Sequence, residues 1–547
     1  YGFYKFFGLI LYGFFVWILA SNKIIEFMLF EIVIILLFFS LLSFLIFIYK
    51  RKEIIFYISN AKYKICVVES IFILSFISFL LIRILNPDLW HPYRGGEKPM
   101  DFAFLNAILR STSFPPYDPW FSGYALNYYY YGQYLVALLT KLSGIPSNIS
   151  YNLAIPTFFS YASVLVFSFT SNLSHLFRKA KGLSFEWHKI PLTTGISAIA
   201  FVLLFGNFDS VIQIYNMILG EQETFDYWRS TRIVSMVSSG LEINEFPFFT
   251  FLFADLHAHL LSIPMLISLL SLSFLLYYEN SSGSIRLKDL IILLFLALLT
   301  GTIKATNSWD YPLAVLIVLF SIIMLNYYGL GSGRFKFFKS TFYFIFYFLS
   351  SIVLFYNFDN SFIMPEFALS FSNWKTPFLA MIQILFLPLA LFITFAFLYL
   401  KNFRNKLKVL YSDFSITLNK QIIIFLMIFL TGIILGIFYQ FLTLFILIIT
   451  ILMILAIFLI KSKLFENDSK LFAWISLLLF LGLSIPIFTE LSVVKNDINR
   501  MNTFFKFNFQ SWILLNLAAS LLLPFIYYEI NNKAQKYVFI IIISLLT

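Results

Sequence analysis

Residues Asn86–Tyr131 read NPDLWHPYRGGEKPMDFAFLNAILRSTSFPPYDPWFSGYALNYYYY, and this polar, aromatic stretch decides how the rest of the chain is read. It lies between long apolar segments and gathers acids, cations, a Pro–Pro step and four consecutive tyrosines. Such groups cost free energy beside lipid unless they are satisfied or used.

On either side the sequence is membrane-like. Hydrophobic residues make up 60% of the chain and charged residues 12%, with a mean hydropathy of +0.87, which excludes an ordinary soluble domain. Apolar runs long enough to cross a bilayer (about 20 residues) recur along the chain. They fall near 4–20, 25–49, 65–85, 152–177, 190–206, 248–277, 290–305, 311–328, 340–357, 376–400, 421–437, 438–460, 471–488 and 511–530. Another begins near 537 and is cut off at Thr547. An all-α, polytopic integral membrane protein with about 14–15 transmembrane helices is predicted. Starting at Tyr1 and ending inside an apolar run, the chain is expected to be part of a longer protein. Its first segment, lacking a small-residue cleavage site, reads as an anchor rather than a signal peptide. A lone cysteine, Cys66, excludes an internal disulfide framework.

The net charge of +11 is spread over short segments between apolar runs and predicts no nucleic-acid partner. The basic residues are grouped as Lys50, Arg51, Lys52, Lys62 and Lys64, then Arg178, Lys179, Lys181 and Lys189. Arg334, Lys336 and Lys339, and Lys401, Arg404, Lys406 and Lys408, make two more groups. The positive-inside rule puts these groups, and the N-terminus, in the cytoplasm of a multi-pass cell-membrane protein. The parity requires that Tyr128–Lys141 not cross, and YYYYGQYLVALLTK suits an interfacial amphipathic helix with an aromatic belt. The organisation expected is N-terminal helices over 1–85, a first outer loop with juxtamembrane helices over 86–150, and a transmembrane core over 151–547. Acid-rich outer loops in the core fall at 207–247, 306–310, 358–375 and 489–510. Over 421–460, Gly432, Gly436 and Gln440 suggest a tight hairpin.

Five motifs on the predicted outer face carry the chemistry. In Arg94-Gly-Gly-Glu-Lys-Pro-Met-Asp101, Pro99 and Glu97 suit a helix start. Glu97 and Asp101 either cap that helix or act as a general base. In Phe114–Gly123, Asp118 and Trp120 are candidates for a sugar or headgroup, followed by Asn127 and Tyr128. Glu242-x-x-Glu245 precedes Asp255-Leu-His-Ala-His259, where Asp255, His257 and His259 are candidates for a divalent metal ion or for a hydrogen-bonded polar cluster. Lys304-Ala-Thr-Asn-Ser-Trp-Asp310 offers Lys304, Asn307, Trp309 and Asp310. Asp497–Lys506 offers Arg500, Asn502 and Lys506, cations that suit a phosphate or, more plainly, snorkel to lipid.

The strings NEFPFFTFLFADLHAHLLSIP, KATNSWDYP, NRMNTFFKF and ALNYYYYG resemble the archaeal and chloroflexal "YYY" family of uncharacterised membrane proteins, of DUF2298 type, over about residues 86–512. An early loop acid, an amphipathic helix, a Pro-rich turn and an aromatic juxtamembrane helix are also similar to the first outer loop of GT-C glycosyltransferases. That wider resemblance implies a GT-C-like core, a polyprenyl-phosphate-linked sugar donor, Glu97 or Asp101 as catalytic base, and Arg500 or Lys506 at the lipid phosphate. Residues 1–547 depart from it in having no adjacent Asp–Glu pair at the loop start and no soluble domain at their C-terminal end. The function expected is sugar transfer at the outer membrane face, with membrane lipids as surroundings. Its rivals are a transporter or flippase of a lipid-linked or anionic solute, and a non-catalytic envelope scaffold.

Overall fold

A computed structural model of the protein describes residues 2–91, 96–182, 189–237, 240–279, 284–328, 333–363, 368–410, 442–463 and 469–546. The elements begin with α1 (Tyr4–Ser21), α2 (Leu29–Leu85), α3 (Lys98–Arg110), α4 (Tyr131–Ser143), α5 (Ser147–Ala180), α6 (Lys189–Ile199) and α7 (Asp209–Ile218). They continue with α8 (Ile233–Val237), α9 (Pro247–Phe253), α10 (Ala258–Glu279), α11 (Leu287–Thr306), α12 (Tyr311–Tyr328), α13 (Gly333–Leu354) and α14 (Tyr356–Ser361). Strand β1 (Leu369–Phe371), α15 (Phe378–Leu410), α16 (Leu442–Lys463), α17 (Ser469–Leu491), β2 (Ser492–Val494), α18 (Met501–Glu529) and α19 (Lys533–Leu546) complete the order. The protein is therefore all-α and polytopic, with one small antiparallel pair, between β1 and β2, among the described residues.

Among the described residues, ten helices are long and apolar enough to cross a membrane, or eleven if Ile190–Leu204 and Asp209–Ile218, bent by 80°, form one span. The expectation of 14–15 covered the whole sequence, including the run at 421–437, which lies outside the described residues. The runs at 25–49 and 65–85 both fall in α2, two helices joined across a kink at Lys50, and the basic stretch after the kink is helical. Only Lys50 leaves helical geometry there (φ −104°, ψ 16°). No glycine or proline interrupts residues 29–85, which suits helix on both sides of the kink at Lys50. The run at 248–277 is interrupted between α9 and α10. Of the hairpin expected over 421–460, the crossing at 421–437 and the turn around Gly432, Gly436 and Gln440 lie outside the described residues.

The chain divides into two compact units, Tyr1–Ser168 with Thr250–Pro365, and Phe169–Phe249 with Glu366–Thr547. In the first, α4 is core. Its 13 residues span about 20 Å, too short to cross a bilayer. Tyr131, Gln133, Tyr134, Leu135, Ala137 and Leu138 are fully buried, which corrects the expected interfacial helix and aromatic belt. The tyrosines point inward because protein partners are available. Tyr134 Oη donates to Gly13 O (2.7 Å), and Trp17 Nε1 donates to Tyr130 Oη (3.2 Å). A Cβ at Gly132 would lie 2.8 Å from both Leu261 and Thr306, so glycine lets α4 approach α10 and α11 closely. By contrast, only 6% of the apolar window of α2 is buried. It is apolar all round, as a helix facing lipid must be.

The second unit is built on α18, whose apolar window is entirely buried. Helix α17 closes on it through Gly482, where an added Cβ would lie 2.7 Å from Leu515. Ser511 Oγ donates to the Gly482 carbonyl (2.6 Å) across the same contact. Helix α15 joins through Phe395, whose ring meets Phe472 and Phe525 at 5.3 and 6.1 Å.

Candidate functional site

The first unit's site begins where α9 stops. Ala254 takes a left-handed conformation (φ 62°), a common way to end a helix although unfavourable for a residue with a side chain, and α10 does not start until Ala258. Unwound backbone next to apolar spans must find internal partners, and two side chains supply them. Tyr151 Oη accepts from Leu256 N (2.8 Å), and Gln133 Nε2 donates to Leu256 O (3.2 Å). Held this way, the segment presents Asp255 and His257 to the start of α3.

That start forms where Pro99 and Glu97 suggested. Glu97 is the residue before α3 and Pro99 lies in its first turn. Glu97 N donates to Asp255 Oδ2 (2.9 Å), and Lys98 Nζ lies 3.1 Å from Asp255 Oδ1 and 4.2 Å from the centre of the Phe253 ring. Gly96 (φ 62°) permits this approach, since a Cβ there would sit 2.4 Å from Asp255 Oδ2.

His257 stands between two acids. Its Nδ1 is 2.9 Å from Glu97 Oε2 and 3.6 Å from Asp101 Oδ1. The acids differ in access: the Glu97 side chain is 56% exposed and that of Asp101 0%. Gln133 Nε2 reaches Asp101 Oδ1 at 3.4 Å, while Asp101 Oδ2 is buried with no hydrogen-bond partner among the described residues. Burial pushes the Asp101 carboxyl above its usual range, although His257 pulls the other way. Asp255 is also raised by burial, against the pull of Lys98. Among the described residues Glu97, Asp101 and Asp255 gather around Lys98 and His257, whose ring centre lies 5.1 Å from that of His259. The arrangement can take up and release a proton at a water-facing carboxylate.

Among the described residues Asp255, His257 and His259 do not come together as a metal-ligand group. Asp255 faces Lys98 and the Glu97 N–H, so an ammonium supplies the positive charge a metal would have brought. His257 faces Glu97 and Asp101, and no group of three His, Cys, Asp or Glu side chains among the described residues could hold a metal ion.

The other sequence candidates in this unit fall around the cluster. Tyr128 and Tyr129 stack with ring centres 4.0 Å apart, and Phe104 contacts both Tyr128 (4.9 Å) and Trp120 (5.3 Å). Burial raises the hydroxyl pKa of both tyrosines, with the Glu97 and Asp101 charges adding to it, and Trp309 hydrogen-bonds Tyr129. Asp118 is occupied locally, accepting from Trp120 N (2.8 Å) and Phe121 N (2.9 Å) as a turn residue does. Asn127 binds the Ile363 backbone through both amide atoms, Oδ1 at 2.8 Å and Nδ2 at 3.1 Å. Lys304 Nζ pairs with Asp359 Oδ1 (2.6 Å). Asp310 Oδ2 accepts from Ser262 Oγ (2.6 Å), and Asn307 is buried. Arg94 lies outside the described residues.

In the second unit Arg500 is fully buried. Its Nε donates to Glu242 Oε1 (2.9 Å), Nη1 to Thr489 O (3.0 Å) and Glu490 Oε1 (3.1 Å), and Nη2 to Thr376 Oγ1 (2.9 Å). Thr376 Oγ1 in turn donates to Glu490 Oε1. The planar fork expected at a lipid phosphate is thus committed to two glutamates of its own unit. Lys506 Nζ lies over the Phe505 ring (4.2 Å), Asn502 Nδ2 donates to Asp497 Oδ1 (3.2 Å), and Glu245 is half-buried.

Gln133, Lys98 and Glu490 escaped the sequence reading. A glutamine in the apolar YGQYLVALL run was a usable signal, because a buried amide needs a partner. Lys98 was visible beside Glu97, but its role depends on Asp255, far along the chain. The family model described as "Uncharacterized membrane protein (DUF2298)" matches residues 11–515. Neither a curated protein nor a solved structure matches the chain.

Proposed function

We propose a function from the geometry around His257, since the chain belongs to the DUF2298 family of uncharacterized membrane proteins, a description that names no activity. The reading is a membrane glycosyltransferase of GT-C type. It moves a sugar from a polyprenyl-phosphate donor to an acceptor at the outer membrane face. The observation that carries it is the pairing of a water-facing carboxylate, Glu97, with His257 at 2.9 Å, backed by the buried Asp101.

In this reading Glu97 is the base and Asp101 a positioning residue. Glu97 takes the proton of the acceptor hydroxyl. The hydroxyl oxygen bonds to the anomeric carbon as that carbon's bond to the phosphate oxygen breaks. Polyprenyl phosphate leaves with the electron pair, and configuration at the carbon inverts. His257 receives the proton from Glu97, and the buried Asp101 orients the ring and stabilises its charged form. Aromatic faces at Tyr128 and Trp120 suit a sugar ring. Arg500, whose donors its own unit uses, has no part in the step.

The test incubates purified protein with a panel of polyprenyl-phosphate sugars and follows release of polyprenyl phosphate by mass spectrometry. Wild type releases it, with water as a slow acceptor, and Glu97→Gln is slower by about a hundredfold or more, the scale of a lost general base. Release undiminished in Glu97→Gln, or no release from any donor, overturns the reading. A second reading, transport of a lipid-linked or anionic solute, draws on the interrupted spans at Ala254–His257 and at the 80° bend. Movement of an intact donor across a vesicle bilayer without cleavage would favour it.

A further inference from the structure

Away from that site, Arg83 closes the last turn of α2 and is only 4% exposed. Its Nε and Nη2 both donate to Asn152 Oδ1, at 3.0 and 2.6 Å. Asn152 is itself fixed, since its Nδ2 donates to the Pro87 and Asn148 carbonyls (3.1 Å each). One side of the guanidinium is therefore clamped, and Nη1 carries none of these bonds. Among the described residues Arg83 forms no ion pair. Asp88, whose charge reaches the guanidinium, is solvent-exposed and not in contact with it. An arginine enclosed by protein without a carboxylate in ion-pair contact is rare and costly. Nor is it snorkelling, because protein atoms, not a membrane surface, cover it.

Beside Arg83 lies an open pocket of about 400 Å³, lined mainly by Leu80, Ile84, Leu89, Ile149 and Leu153, together with Asn148 and Asn152. The walls are mainly apolar, so the space suits hydrocarbon, and its one cation suits a phosphate. Arg83 lies at the end of an apolar span, the depth at which lipid headgroups meet water.

We propose that this pocket binds the phosphate headgroup of a membrane lipid, with Arg83 as its counter-cation and the leucine and isoleucine walls holding the adjoining hydrocarbon. Asn152 orients the guanidinium so that its remaining donors face the phosphate oxygens. A free, fully hydrated phosphate matches the cation but not the walls. The assignment is independent of the sugar-transfer reading and stands or falls separately.

The test measures adducts on the detergent-purified full chain by native mass spectrometry with three probes: dioctanoyl phosphatidic acid, dioctanoylglycerol and inorganic phosphate. Wild type takes up phosphatidic acid, and dioctanoylglycerol binds much more weakly. Arg83→Gln weakens phosphatidic acid binding about tenfold or more, as expected for a lost charge-assisted pair. Leu153→Trp, which keeps Arg83 but fills the pocket, weakens it as well and carries the test if Arg83→Gln fails to fold. Unchanged phosphatidic acid binding in either folded variant overturns the proposal. Inorganic phosphate displacing the lipid at equal concentration would make the ligand free phosphate and overturn the lipid assignment.

Discussion

Replacing Arg500 by glutamine leaves Glu242 and Glu490, 0% and 1% exposed, without their shared cation. Two carboxylates buried that deeply cannot recover water, and breaking a buried ion pair by removing one partner costs about 3–5 kcal/mol. A unit of this size loses roughly 2–4 °C of thermal midpoint per kcal/mol, so the midpoint in detergent should fall by on the order of 10 °C. Arg500→Lys keeps the charge but loses the fork that also reaches Thr489 O and Thr376 Oγ1, and should fall between the two. The decisive variant is Arg500→Met with Glu242→Gln and Glu490→Gln. Removing all three charges together should restore much of the midpoint, because the cost lies in the unpaired acids rather than in the missing arginine. Scanning fluorimetry on the purified proteins reads all four. An Arg500→Gln midpoint equal to wild type, or a triple variant lower than the single one, would refute this account of Arg500 as a structural counter-ion.

Two further outcomes follow from the first unit. Gly96→Ala must hold an alanine at φ 62° with its Cβ 2.4 Å from Asp255 Oδ2. The conformation costs about 1–2 kcal/mol and the displaced Glu97 N–H bond a further 1–3, roughly; an unchanged midpoint would mean the loop does not pack on Asp255. Asp101 and Asp255 are held above the usual carboxyl range by burial, so the folded chain keeps protons that the unfolded chain has lost. Stability therefore falls as pH rises from about 4 through their folded values, and Asp101→Asn should flatten that fall; a wild-type midpoint that rises with pH across the same window contradicts it.

Part of this architecture was legible along the chain because its causes are local. Hydropathy alone marked the polytopic class, and Pro99 with Glu97 marked the start of α3. The same local rules placed the break in α2 within its basic cluster, where Lys50 leaves helical geometry. Beyond it they read a loop where the chain is helical, because lysines and arginines between apolar runs read as a loop by the positive-inside rule. Lysine and glutamate are nevertheless good helix formers, and no glycine or proline stood in their way. The four tyrosines were ambiguous in principle. A ring with a hydroxyl suits an interface or a core with a hydrogen-bond partner, and for Tyr130, as for the nearby Tyr134, the choice fell to partners more than a hundred residues away, Trp17 and Gly13.

Arg500 shows the same limit more sharply. Its sequence neighbours suggested a membrane-surface cation, while its partner Glu242 lies 258 positions earlier. By itself the sequence determined that the chain crosses a membrane repeatedly and that its acids and histidines cluster in a few polar motifs, since transfer free energy accumulates residue by residue along a segment. Only the tertiary structure decided that Glu97 is exposed while Asp101 is buried, that Lys98 pairs with Asp255, and that Arg83 forms no ion pair among the described residues. Burial and charge pairing depend on which distant side chains surround a group, and a linear spacing does not record that.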